Sequence, residues 1–189
     1  MIEFRLRGTC VRLYFSFFAV ICLFLQLSQG PSGPLCLLAA GVHELGHLMA
    51  FTALGLQPRS LSFHLGGIRL SPPDSPVAAW KELATLAGGA AMSFAWAAGS
   101  LAAGAKEPAA FHLLTGLFSL LPVRGLDGGE ILSAVLERLW PAGGVRAAEK
   151  ISLALTLIGA AAALAIGIQA RKGSLLLLGA ALLFCAVSG

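Results

Sequence analysis

Residues 35–54 read LCLLAAGVHELGHLMAFTAL, twenty positions in which only His43, Glu44 and His47 depart from a small or apolar run. As a helix rising 1.5 Å per residue, such a stretch covers about 30 Å, the hydrocarbon thickness of a bilayer. Imidazoles and a carboxylate in that environment each cost several kcal/mol unless paired. The spacing supplies the pairing. His43 and His47 are four apart and share one helix face, so both rings reach a single metal ion, and Glu44 completes an H-E-x-x-H pattern. Counting from Leu35, His43 lies roughly 12 Å into the hydrocarbon and His47 about 6 Å deeper, near mid-bilayer.

The remaining composition agrees with a lipid-embedded chain. Of 189 residues 57% are hydrophobic and only 12% charged, against roughly a quarter charged in soluble proteins. Six spans of about 20 residues would consume about 120 positions, so residues 1–189 read as a single polytopic membrane domain. A disordered chain, a disulfide framework and a cytosolic enzyme with a water-facing surface are all excluded. The net charge of +4 is carried by basic residues scattered singly through apolar runs, with no stripe suited to nucleic acid. Cys10, Cys22, Cys36 and Cys185 lack C-x-x-C spacing and read as packing residues.

Apolar runs occur at about 11–27, 35–54, 79–104, 109–139 with an interruption, 151–168 and 174–187. The expected class is an all-α integral membrane protein of about six transmembrane helices, with a short β-hairpin between spans two and three and a broken fourth span. The first run follows Arg5, Arg7 and Arg12, and its end at Ser28-Gln29-Gly30 also resembles a leader-peptide cleavage site. Most lysines and arginines, from Arg5 through Arg59 and Lys81 to Lys150, collect on one side, with Lys106, Arg171 and Lys172 opposite and Arg124 at depth. The positive-inside bias then places both termini in the cytoplasm of a multi-pass protein. In residues 57–70, Leu61, Phe63 and Leu65 alternate with polar neighbours ahead of Gly66-Gly67, a hairpin pattern, and the proline-rich residues 71–76 form a loop.

A catalytic zinc takes three protein ligands and keeps one open position, so a third group must come from another segment. Residues 109–139 as one helix would stretch about 46 Å and overshoot the membrane, yet Pro122, Gly125, Gly128 and Gly129 interrupt them. The helix must break, which leaves Asp127 at mid-depth. Asp127 with Glu130 three residues on also fits a helix N-cap and capping-box variant, so a ligand role and a capping role both stand. With zinc on His43, His47 and Asp127, an acidified water and a polarised carbonyl become available, and Glu44 is placed as general base. Glu44 also fits as an outer partner for an imidazole. The hairpin near 63–70 offers a strand edge for an unwound substrate segment, or a re-entrant shield for the metal.

Three blocks together resemble the site-2 proteases, zinc metalloproteases that cut substrates within the membrane: His43-Glu44-Leu45-Gly46-His47, the Gly66-Gly67 hairpin, and Leu121-Pro122 leading into Leu126-Asp127-Gly128-Gly129. The compact layout is similar to the stage IV sporulation protein FB branch. The resemblance implies regulated intramembrane proteolysis in a bacterial cell membrane, with Gly66, Gly67 and Ser119 on the substrate side. It further implies a membrane-tethered protein substrate, such as a sporulation sigma-factor precursor, the lipid bilayer itself and room for a membrane regulator as partners. The chain departs from the family pattern at Ser119, where asparagine is common, at Gly125, where proline is frequent, and at Gly89 and Ser93, where proline and asparagine are usual. These departures are expected to touch substrate positioning and helix packing, away from the metal ligands.

Two other readings compete. A non-catalytic metal-binding membrane protein or metal transporter would use the same three side chains on a transported ion. A prenyl-type membrane protease would draw its third ligand from Glu130, Glu137 or Glu149. His64 reads as a solvated loop residue, His112 as interfacial, and Arg124 as a partner of Asp127 or a side chain reaching into a wet access path.

Overall fold

The computed structural model describes residues 1–6, 9–28, 30–64, 67–71, 77–123 and 125–169. The elements are β1 (Ile2–Leu6), β2 (Thr9–Leu13), α1 (Phe15–Leu27), α2 (Ser32–Ala53), β3 (Ser60–His64), β4 (Gly67–Ser71), α3 (Ala79–Ala102), α4 (Lys106–Ser119), α5 (Asp127–Leu139) and α6 (Gly144–Gln169). They divide into two compact units, Met1–Leu117 and Phe118–Gly189. The expected sixth run at 174–187, together with Cys185, Arg124, Leu65 and Gly66, lies outside the described residues.

In the first unit the expected hairpin is present as β3 and β4, antiparallel with Ser60 opposite Ser71 and His64 opposite Gly67. The expected all-α class needs correction, because this hairpin is half of a four-stranded sheet in the order β1-β2-β3-β4. Strand β2 runs parallel to β3, Val11 beside Leu61, and antiparallel to β1. The apolar run assigned to residues 11–27 therefore starts as a strand and becomes helical only at Phe15. Pairing on both sides, with β1 and β3, holds Thr9-Cys10-Val11-Arg12-Leu13 extended; Val11, at the strand centre, is buried. Arg12, read as a topology signal, pairs across the strands with Glu3 at 3.2 Å. The Cys10 thiol donates to Glu3 at 3.1 Å, and these two contacts hold the Glu3 carboxyl below its ordinary range.

Among the described residues, α2 with 22 residues and α6 with 26 are long and apolar enough to cross a bilayer. Helix α1 has 13 residues, about 20 Å. The expected break in the fourth run does occur, as α4 and α5 flank residues 120–126. Gly125 takes φ +82°, and a Cβ on Gly128 would collide with the backbone of Leu120 and Leu121, so the turn leaves no room for a side chain there. Asp127 is the first residue of α5, with Leu126 at the cap position and no side-chain cap bond; the capping reading of Asp127 is corrected accordingly.

Packing inverts the soluble pattern. Ala39, Thr85, Ala90, Ser93 and Ala97 are buried, while Leu38, Leu45, Met49, Trp96 and Leu101 on the same helices are exposed. Helix α1 has no buried residue, and in the second unit α6 buries Ala148, Ser152, Thr156 and Ala160 while exposing Ile151, Leu157 and Ile158. Lipid tails give helices no hydrophobic reason to associate, so small residues that permit close approach occupy the contacts. Gly46 of α2 does this against Gly88 and Gly89 of α3.

His112, expected at an interface, is instead 2% exposed and stacked on Trp96 with ring centroids 5.8 Å apart. Its Nδ1 is buried with no hydrogen-bond partner among the described residues, a penalty of about 1–3 kcal/mol. His112→Phe keeps the ring and removes that nitrogen, so thermal melting in detergent is expected to show equal or higher stability, by about 1 kcal/mol. A clear loss of stability would mean that the nitrogen has a partner.

Candidate metal centre

Helix α2 carries both imidazoles on its buried face: His43 is 7% exposed and His47 9%. Their rings meet edge to face with centroids 4.9 Å apart, and their Nε2 atoms are 3.2 Å apart. Each Nδ1 points instead to α3. The Nδ1 of His47 lies 2.8 Å from the backbone carbonyl of Thr85, and that of His43 lies 3.1 Å from Ser93 Oγ.

The first of these partners decides where a proton sits. A carbonyl only accepts, so His47 donates Nδ1–H to Thr85, and its Nε2 keeps a lone pair directed at His43. Two ligand nitrogens at 2.0–2.1 Å from a tetrahedral zinc would be about 3.3 Å apart, close to the 3.2 Å between these atoms. The donor set and its spacing therefore fit a zinc ion, held through Nε2 of both rings. Gly89 of α3 forms the floor of this cradle: a Cβ there would collide with Nε2 of His47 and with Cε1 and Nε2 of His43.

His43 and His47 in the first unit and Asp127 in the second each offer one ligand atom that could serve a metal ion. Asp127 is half-buried, at the start of α5, where the exposed amides of the first turn favour a negative charge. Glu44, the expected base, follows His43 on α2 and is half-buried. Of the residues assigned to substrate, Ser119 is the last residue of α4 and is buried, Gly67 opens β4, and Gly66 lies outside the described residues.

The site contains three residues that the spacing of the motifs did not disclose as metal-side groups. Thr85, Gly89 and Ser93 recur every fourth residue on α3 and lie against the two imidazoles. The expectation that the departures at Gly89 and Ser93 act away from the metal ligands is thus overturned, since both touch the histidines directly. The signal was present as a four-residue stripe of small residues, but such stripes also serve ordinary helix packing.

Among solved structures, the fold matches the Site-2 Protease from Methanocaldococcus jannaschii with a TM-score of 0.69 at 21% sequence identity, over 99% of this chain and 94% of that one. The chain has the site-2 protease fold. No protein-family model and no curated protein matches the sequence.

Proposed function

We propose that this protein is an intramembrane zinc metalloprotease that hydrolyses a peptide bond in or near the transmembrane segment of a membrane-tethered protein, in the manner of the site-2 proteases. The observation that carries this reading is the histidine pair whose Nδ1 atoms are both held by α3 so that the two Nε2 atoms face each other at 3.2 Å; Asp127 is assigned as the third ligand. The fold likeness supports the same reading. So does the inverted packing, with large apolar side chains outside and small ones inside. The compact layout favours the stage IV sporulation protein FB branch and a bacterial cell membrane with cytoplasmic termini.

Each residue then has a task. His43, His47 and Asp127 hold the ion, which when bound polarises the scissile carbonyl and acidifies a water. Glu44 takes the proton from the attacking water and returns it to the departing amine. A substrate helix hides its peptide bonds and must unwind; β4, an edge strand of the sheet, offers main-chain groups to pair with the unwound stretch. Gly66, Gly67 and Ser119 are assigned to substrate placement.

Co-expression with a panel of tethered precursors tests the reading, with cleavage fragments as the readout. Asp127→Asn separates ligation from the space-filling role of the position, because asparagine keeps the size and shape of aspartate but is a poor metal ligand. The expected result is a folded variant with substoichiometric zinc and no fragments. Retained zinc and full cleavage would remove Asp127 from the site.

A further inference from the structure

The two histidines of the centre are anchored differently at Nδ1. His47 uses the main-chain carbonyl of Thr85, which any residue at that position would supply. The threonine hydroxyl itself is engaged elsewhere, donating to the Glu82 carbonyl at 2.7 Å. His43 depends on a side chain, the hydroxyl of Ser93 at 3.1 Å, and Ser93 is 0% exposed. Water therefore has no access to replace that hydroxyl if it is removed. Gly89, one turn earlier on α3, lets the helix backbone approach closely enough for the contact to form.

We infer that Ser93 is a positioning residue for the metal centre: its Oγ accepts Nδ1–H of His43 and so presents Nε2 of that ring toward the ion. The inference rests on the reading of His43 as a metal ligand. A hydroxyl accepts as well as donates, which lets Ser93 serve the ring form in which Nε2 is unprotonated and able to ligate. Without it, Nδ1–H of His43 loses this acceptor, and rotation or reprotonation of the ring in response would withdraw Nε2. Partners of this kind are worth roughly 10–100-fold in metal affinity.

The test uses full-length protein in detergent, titrated with Co2+ and followed by its visible absorption. The variants are Ser93→Ala, Ser93→Val, Ser93→Thr and, as a reference for the ligand assignment, His47→Ala. Valine and threonine add nearly the same volume and differ in the hydroxyl, so crowding is common to both. Ser93→Ala and Ser93→Val are expected to bind Co2+ roughly 10–100-fold more weakly with an altered absorption band, and Ser93→Thr to stay within about threefold of the parent. Parent-like affinity in the alanine and valine variants, with His47→Ala weakened, would overturn the role of Ser93 and leave the metal centre standing. Equal weakening of the threonine and valine variants would also overturn it, since space and not the hydroxyl would then be at issue. Failure of the parent to bind one Co2+, or parent-like binding by His47→Ala, would overturn the metal reading and this inference with it.

Discussion

Glu44→Gln is expected to abolish detectable cleavage of a tethered precursor while leaving the metal content of the purified protein unchanged. Glutamine keeps the shape of the side chain and its place on α2 beside His43, but it cannot accept a proton at working pH. Loss of a positioned general acid or base costs about 10²–10⁴-fold in rate, enough to erase fragments in a co-expression assay. Because Glu44 is half-buried and is not one of the three grouped ligand residues, zinc stoichiometry should hold. The two readouts together discriminate: cleavage within tenfold of the parent rules out the base assignment, whereas loss of zinc makes Glu44 a support of the ligand set.

Gly89→Ala is expected to weaken metal binding, because in this chain the imidazoles fill the space that a side chain at position 89 would take. The added methyl carbon would occupy the space now held by Nε2 of His47 and by Cε1 and Nε2 of His43. No flexible tip can yield there, because both rings are buried and anchored at Nδ1. Either the rings turn away or α3 withdraws from α2, and each outcome separates the two ligand atoms. The expected loss is about 10–100-fold, the range seen when groups that orient a ligand are disturbed. Gly99→Ala, on the same helix with nothing within 4 Å of the new carbon, serves as the control and should bind metal normally, with a small gain in helix propensity of up to about 1 kcal/mol. Competition with a chelator of known affinity measures both. Normal zinc affinity in Gly89→Ala would contradict the cradle described above.

Much of the helical framework is legible in the sequence because it follows from hydrophobic run length and helix-breaking residues. The 35–54 run became α2 (Ser32–Ala53), and the excess length of 109–139 forced the interruption that left α4 and α5. What escaped was the amino-terminal half of the sheet. The five residues Thr9–Leu13 carry no strand pattern that stands out beside the apolar stretch that follows, and their partner β3 is about fifty positions away. The same distance problem applies at the centre. The H-E-x-x-H spacing exposes the histidines at once, but their hydrogen-bond partners lie 38 and 50 residues along the chain. Nothing local marks a buried serine or a backbone carbonyl as the group that orients an imidazole.

The parallel pairing of β2 with β3 also constrains the path of the amino-terminal third. Strands β2 and β3 lie side by side, so the stretch that joins them, α1 followed by α2, must leave the sheet and return to it, reversing near Gly30 and Pro31. The first leg has only 13 residues and the return 22. The outbound leg is thus about 20 Å long and the return about 33 Å. The pairing also fastens the amino terminus to the hairpin, so shortening the chain by a dozen residues would unmoor β3 as well as shorten the protein.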